Sequence, residues 1–227
     1  MKTQNEAPNH GLAAGAWNSL SGNVLRGLNH SFSNRLTSLG AVAAGLGSED
    51  STQTLGQRVE GEIDRMEDLL RLYRMLPFVG SHAPEPSQLS EAVSAAVALF
   101  EHHYGLRDVP CRVEGDPATP PVLYHSTAMV QTLLLLLSAA GRHLNPEEAS
   151  AGVVLRYAGD ADMVNITAET AGPAAMLAEW PEEIHGVRWL ARHAAGDLQM
   201  EPTPHGGVRV RLRVGSLAFL RRRERAG

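Results

Sequence analysis

The sequence has few cysteine and aromatic residues and little net charge, and these shortages narrow the classes of protein to which it can belong. The single cysteine, Cys111, rules out an internal disulfide framework and fits a reducing compartment. A formal net charge of −5 over 227 residues gives no indication of a nucleic acid or an anionic membrane as partner. The hydrophobic share of 43% nevertheless suffices for a sizeable core.

Long apolar runs are absent as well. The longest, MVQTLLLLLSAAG at 129–141, is far shorter than the ~20 residues that span a bilayer. The polar first residues lack the apolar segment of a secretory signal, and residues 1–16 are read as a flexible leader. We therefore expect a cytoplasmic protein that does not contact membranes.

Two long helices are predicted at 17–78, because apolar residues there recur at spacings of three and four. The stripe of the first helix comprises Leu25, Leu28, Phe32, Leu36, Leu39, Ala43 and Leu46, and that of the second comprises Leu55, Val59, Ile63, Met66, Leu70, Tyr73 and Leu76. Pro77 is expected to end the second helix. A lone hairpin leaves part of both stripes uncovered, whereas a four-helix bundle of two hairpins covers them, so we expect a homodimer.

The rest of the chain predicts an α/β sandwich. A linker rich in Gly, Pro and Ser at 79–88 leads into it, and a solvated basic tail at 216–227 follows it. Within 89–215, helices are expected at 89–103, from Ser126, and at 181–196 with Gly196 as C-cap. Strands are expected at 111–113, 122–124, 152–159, 162–169, 197–202 and 207–215. This order is typical of helices packed on one face of a sheet.

Three segments resemble motifs of bacterial sensor histidine kinases. HSFSNRLTSL resembles the histidine box, in which the histidine is usually followed by an acid, then by Asn or Thr, then by Pro-Leu-Thr. The matching residues here are His30, Asn34, Leu36 and Thr37. Ser31 replaces the acid and Arg35 the proline. LLLLLSAAGRH resembles the box N-L-L-x-N-A-x-K-H, and GVRWLARHAAGDLQMEP…GGVRVRLRV resembles the final helix and strand pair. The matches cover roughly residues 17–214 and imply a dimerising hairpin with a phosphorylated histidine, joined to an ATP-binding sandwich.

The groups that such kinases use for ATP are largely replaced. Leu135 and Ala139 stand where two asparagines bind Mg²⁺ and phosphate, and a leucine offers no oxygen to a hard cation. Glu169 stands where an adenine-reading Asp belongs, but the glycine pattern around it is broken. Gly186 alone remains of the phosphate loop, and Glu182 and Glu183 would repel a triphosphate near the start of that helix. Since the lid segment is also too short, we expect no ATP, no other cofactor and no self-phosphorylation.

His30 falls nearly opposite the apolar stripe on a helical wheel, and Asn34 lies one turn further on the same face. A neutral imidazole is a nucleophile, and an ordinary histidine is mostly neutral near pH 7. His30 could therefore take a phosphoryl group from an aspartyl phosphate on another protein, with Asn34 orienting a water or the phosphoryl oxygens. This predicts a dimeric histidine phosphotransferase of a two-component phosphorelay, acting between response-regulator receiver domains, with Mg²⁺ supplied by the receiver's acidic pocket.

Three other functions stay open: a pseudo-histidine kinase that binds a receiver or a kinase as a scaffold, a receiver phosphatase that depends on Asn34, and a kinase with an unusual ATP site. An exposed helical histidine is usually an ordinary surface residue, and the surrounding matches favour a reactive His30. No metal site is expected, because His102, His103, His125, His185 and His193 lack a ligand pattern. The acids Glu60, Glu62, Asp64, Glu67 and Asp68 are interpreted as the solvated face of the second helix. Trp180 and Trp189 are expected to pack in the sandwich, where Trp189 could fill a vacated pocket.

Overall fold

A helical hairpin precedes the sandwich, as predicted. The structure, a computed structural model, describes residues 9–44, 52–79, 83–144, 151–171, 181–192 and 197–226. The hairpin consists of α1 (His10–Ala44) and α2 (Thr52–Tyr73), which pack against each other. α2 ends in a turn before Leu76, so Pro77 follows the helix end and does not itself form it.

One five-stranded sheet supports the second half. Its spatial order is β2 (Cys111–Gly115), β4 (Val153–Gly159), β5 (Met163–Thr170), β7 (Val208–Gly215) and β6 (Leu198–Pro202). β2 and β4 are parallel, and the remaining neighbours are antiparallel. In β7 the alternate residues Val208, Val210, Leu212 and Val214 are buried, which confirms the predicted alternation.

Three helices complete the sandwich: α3 (Leu89–Glu101), α4 (Ser126–Gly141) and α5 (Glu183–Leu190). α4 contacts β4, β5 and β7, while α3 and α5 both pack against α4. Every residue of α4 from Ala128 onward is buried, because this helix lies between the sheet and its helical neighbours. The unbroken leucine run is therefore core packing, as expected. Gly196, the predicted C-cap of the last sandwich helix, lies outside the described residues.

The C-terminal end of the predicted linker is structured. Residues of β1 (Pro86–Ser87) pair in antiparallel fashion with β3 (Val122–Leu123), and the Ser87 hydroxyl donates to the Tyr124 carbonyl. The two short strands hold the start of α3 beside the start of α4. Part of the predicted linker therefore belongs to the sandwich.

The leader predicted at 1–16 is wrong from His10 onward, where α1 begins. Ala13, Ala16 and Trp17 are buried, because this half of α1 packs on α5. The Trp17 indole Nε1 donates to the Leu76 carbonyl at 2.7 Å and so ties α1 to the chain after α2. Alanines permit close helix packing but contribute little to a hydrophobic pattern, which explains why the sequence did not indicate this contact.

The arginines of the basic tail predicted at 216–227 are exposed, as expected, but the segment forms a helix, α6 (Leu217–Ala226), that is anchored at its start. Leu220 is buried, and the Leu217 N–H donates to the Pro121 carbonyl at 2.9 Å. Arg222 pairs with Asp162 beside the turn between β4 and β5. A short apolar segment ahead of the arginine run therefore anchors this end of the described chain. Among the described helices, none has the length and apolarity that a bilayer crossing requires.

The acids of α2 are not all solvated, which corrects the prediction for Glu62. The residue is 6% exposed, and its carboxylate pairs with Arg65 at 2.7 Å and with Arg35 at 3.5 Å. Arg35, which stands at the proline position of the histidine box, thus joins α1 to α2. The other four acids are exposed as expected: Glu60, Asp64, Glu67 and Asp68.

Candidate functional site

His30 lies on the exposed side of α1, with Asn34 one turn further along. The Asn34 amide nitrogen Nδ2 is 3.4 Å from His30 Nε2. An amide nitrogen can only donate, so Nε2 accepts in this contact and its lone pair is engaged by Asn34. A reaction at Nε2 requires Asn34 to turn away and release that lone pair.

The same stretch of α1 abuts the chain that follows α3. The Ser31 hydroxyl is 3.2 Å from His102 Nδ1, and the Tyr104 N–H donates to the Asn23 carbonyl at 3.2 Å. A Cβ on Gly27 would lie 1.8 Å from the His102 carbonyl oxygen, so this approach requires glycine. These contacts fix the helix around the candidate histidine relative to the sandwich.

Two histidines beneath this contact are held neutral. Burial lowers the pKa of His102, against the opposing charge of Glu101. Burial and the positive charge of Arg142 lower the pKa of His103 to about 4. The His103 side chain is 3% exposed, and its ring nitrogens have no hydrogen-bond partner among the described residues. Sequence reasoning missed the role of His102 because its partner Ser31 is 71 positions away and no local pattern signals the contact.

The sequence resemblance implied a nucleotide site at the residues that now lie between α4 and α5. Leu135 and Ala139, at the two asparagine positions, are fully buried. A Cβ on Gly186 would lie 2.7 Å from Leu135 Cδ1, so the backbone of α5 rests directly on the leucine side chain. Protein atoms therefore occupy the space next to these two positions.

Glu183 adds a buried charge to the same region. Its side chain is 2% exposed and pairs with Arg142 Nε at 2.7 Å. The Ser138 hydroxyl donates to the same carboxylate oxygen at 3.0 Å. Glu183 was predicted to repel a triphosphate, and the structure in addition places it where it neutralises Arg142, the residue directly after α4, which could otherwise attract phosphate.

Glu169, at the position of the adenine-reading acid, is bound by arginines. One carboxylate oxygen pairs with Arg156, and the other accepts from Arg209 Nε at 2.6 Å. Both oxygens are therefore engaged within the sheet. Like Glu183, this acid is held by ion pairs with the protein itself.

Trp189 contacts the start of α1. Its ring centroid is 4.8 Å from that of His10 in an edge-on arrangement, and the Arg192 guanidinium lies 4.1 Å from it. Trp180 and His193 lie outside the described residues. In the parts of the chain that the structure describes, no group of three or more metal-binding side chains comes together. The expected lack of a cofactor stays a prediction.

The fold is similar to solved histidine kinases, whereas no protein-family model and no curated protein sequence matches the chain. The catalytic domain of the histidine kinase ThkA aligns over 60% of this chain and 98% of its own, with 14% identity and a TM-score of 0.50. The Acinetobacter baumannii histidine kinase AdeS aligns over 83% and 98%, with 15% identity and a TM-score of 0.49. The mycobacterial sensor histidine kinase MprB aligns over 59% and 97%, with 14% identity and a TM-score of 0.46. The chain thus contains the fold of a histidine kinase catalytic domain.

Proposed function

We propose that this protein is a histidine phosphotransferase that relays phosphoryl groups between response-regulator receiver domains through His30, without ATP. The observation that carries the proposal is the exposed His30 Nε2 with the Asn34 amide 3.4 Å away. The fold of the sandwich supports a kinase-related role in two-component signalling. The cytoplasm, where the single cysteine fits, is the expected location.

The proposed step balances without an external base. The Nε2 lone pair of His30 attacks the phosphorus of an aspartyl phosphate, and the N–P bond forms as the P–O bond to the aspartate breaks. The carboxylate leaves with the bonding electrons, and the ring proton stays on Nδ1 during the attack. Asn34 turns from Nε2 to donate to the phosphoryl oxygens. The receiver's acidic pocket supplies the Mg²⁺, and the reverse step passes the phosphoryl group to a second receiver.

The contacts between α4 and α5 support a donor other than ATP. Leu135 provides no oxygen for Mg²⁺, and the Gly186 backbone lies against it. Glu183 brings a buried carboxylate to the region and neutralises Arg142. A nucleotide would have to displace packed side chains and separate the buried Glu183 carboxylate from Arg142.

Exposed apolar side chains on the hairpin support a homodimer. Leu36 on α1 is 56% exposed, and Ile63 and Leu70 on α2 are 45% and 46% exposed. A second copy that lays its hairpin on this one would cover these side chains in a four-helix bundle. We propose this dimer as the working form.

Transfer from labelled receivers tests the function. Receiver domains of the host are phosphorylated with radioactive acetyl phosphate, freed of excess reagent and mixed with the protein. We expect acid-labile label on the wild type and none on His30→Gln. His205→Gln, which changes another exposed histidine, serves as the control and keeps the label. Radioactive ATP is expected to label neither the wild type nor the two variants. The relay is refuted if no receiver labels the wild type.

A receiver phosphatase is the second candidate, because the exposed Asn34 amide could orient a water instead of the phosphoryl oxygens. A phosphatase would speed the loss of phosphate from the receiver without labelling His30, and Asn34→Ala would abolish this effect. The relay predicts instead that Asn34→Ala still takes up label, at a lower rate. Binding of a receiver with neither labelling nor dephosphorylation would identify a scaffold of the pseudo-kinase kind.

A further inference from the structure

A cationic platform lies beside the turn of α1 that carries His30. It consists of Arg26 on α1 and of Tyr104 and Arg107 in the chain after α3. The Arg26 guanidinium carbon is 4.9 Å from the centroid of the Tyr104 ring, and that of Arg107 is 5.8 Å away. The tyrosine is 51% exposed. One aromatic ring therefore orients two guanidinium groups at the surface.

The platform and His30 share a rigid support. Arg26 precedes His30 by four residues, so the two side chains emerge from the same face of α1. Tyr104 is held to α1 by its N–H bond to the Asn23 carbonyl at 3.2 Å. The Gly27 backbone lies directly against the His102 carbonyl, with no room for a side chain between the two segments.

The charge of the platform is not neutralised locally. Among the described residues Arg26 forms no ion pair, and its contact is with the tyrosine ring. Arg107 pairs with its neighbour Asp108 at 3.6 Å, but the Asp108 side chain is 91% exposed, and such a pair is weak. A positive patch thus flanks His30 on a chain whose formal net charge is −5.

We propose that the Arg26–Tyr104–Arg107 platform is the docking surface for the acidic face of the phosphate donor. This inference rests on the proposed function, since the occupant is a receiver-type protein that presents a carboxylate-lined phosphoryl pocket. Charge complementarity selects that partner and brings its phosphoryl group to His30.

Equilibrium binding and transfer, measured on the same proteins, test the platform. The probes are the receiver domains of the host, unphosphorylated for binding and labelled with radioactive acetyl phosphate for transfer. Arg26→Gln/Arg107→Gln is compared with Arg221→Gln/Arg223→Gln, which removes the same charge from α6, a helix packed on β3. We expect the platform variant to bind the receiver about tenfold more weakly and the control to bind as the wild type does. Raising the salt concentration should weaken wild-type binding more than that of the platform variant.

The two proposals fail in different ways. If His30 becomes labelled but the platform variant binds and reacts as the wild type does, the docking surface is refuted and the relay stands. If a receiver binds through the platform but never labels His30, the docking surface stands and the relay is refuted. Equal losses in the platform variant and the α6 control would show a general charge effect and would overturn the assignment. If no receiver binds at all, the docking surface is refuted directly.

Discussion

The two halves of α1 lie in opposite environments along one continuous helix of 35 residues. The N-terminal half buries Ala13, Trp17 and Leu20 against the sandwich. The C-terminal half exposes His30 and leaves Leu36 56% exposed. One half therefore contributes to the core, and the other is free to meet partners. Stability and phosphotransfer should thus respond to different residues of the same helix.

Truncation in the buried half is the change with the largest expected effect. Trp17→Ala removes a side chain that is 1% exposed and a hydrogen bond to the Leu76 carbonyl. We expect the free energy of unfolding to fall by about 3–5 kcal/mol, because the cavity between α1 and α5 cannot close fully. Denaturant unfolding followed by circular dichroism measures the loss.

Leu36→Ala is the matched control in the exposed half. Its effect on the unfolding of the monomer should stay within about 0.5 kcal/mol, because the side chain already contacts water. Any larger effect should depend on protein concentration, as loss of a dimer contact would. A similar loss from both substitutions in a dilute sample would show that the two halves do not differ as described.

The pH dependence of stability is the next largest effect. It comes from His103, which follows the residue whose carbonyl lies against Gly27 of α1. Its pKa is about 4 in the folded protein and near the ordinary 6.5 when unfolded. The unfolded chain thus binds the proton first, and stability falls as the pH drops from about 6.5 to about 4. The full loss is about 3 kcal/mol.

His103→Phe tests this origin, because a phenyl ring fills similar space and does not titrate. We expect the variant to lose less stability than the wild type over the same pH interval, in parallel urea titrations. If the variant lost as much free energy of unfolding as the wild type between neutral and acid pH, the effect would belong to other titrating groups.

Much of the sandwich could be predicted from the sequence, because its signals are local. The start of α4 at Ser126 and the alternation along β7 follow from patterns of adjacent residues. The exposed pair of His30 and Asn34 follows from helical spacing in the same way. The spacing of residues within a single helix or strand is sufficient to predict these features.

Contacts between distant segments could not be predicted. The burial of Glu62 depends on Arg35 across the hairpin, and Ser31 meets His102 only because Gly27 lets two backbones approach. The early start of α1 was missed since its buried face begins with alanines. Each of these features depends on how distant segments pack together, and a single sequence carries no direct signal of such packing.

Removal of the buried carboxylate between α4 and α5 should have a smaller effect than Trp17→Ala. Glu183→Gln leaves Arg142 without its partner, but this arginine is 38% exposed and can regain water. We expect a loss of about 2 kcal/mol. The double variant Glu183→Leu/Arg142→Met should recover most of it, because neither charge then needs a partner. Transfer to His30 should be unchanged in both variants. A parallel loss of labelling would show that transfer to His30 depends on the contacts between α4 and α5.

The smallest effect tests the contact that joins the C-terminal half of α1 to the sandwich. Ser31→Asp, which restores an acid beside the histidine, should raise the pKa of His102, because a carboxylate near Nδ1 stabilises the charged ring against the desolvation that now lowers this pKa. Titration of the His102 ring proton by NMR measures the shift, and Ser31→Ala should cost about 1 kcal/mol of stability or less. Ser33→Asp is the control, because the Ser33 hydroxyl is exposed and bonded to the Asn29 carbonyl. Equal shifts in both variants would mean that Ser31 does not contact His102 in solution, and that the half of α1 that carries His30 is less firmly fixed to the sandwich than the buried half.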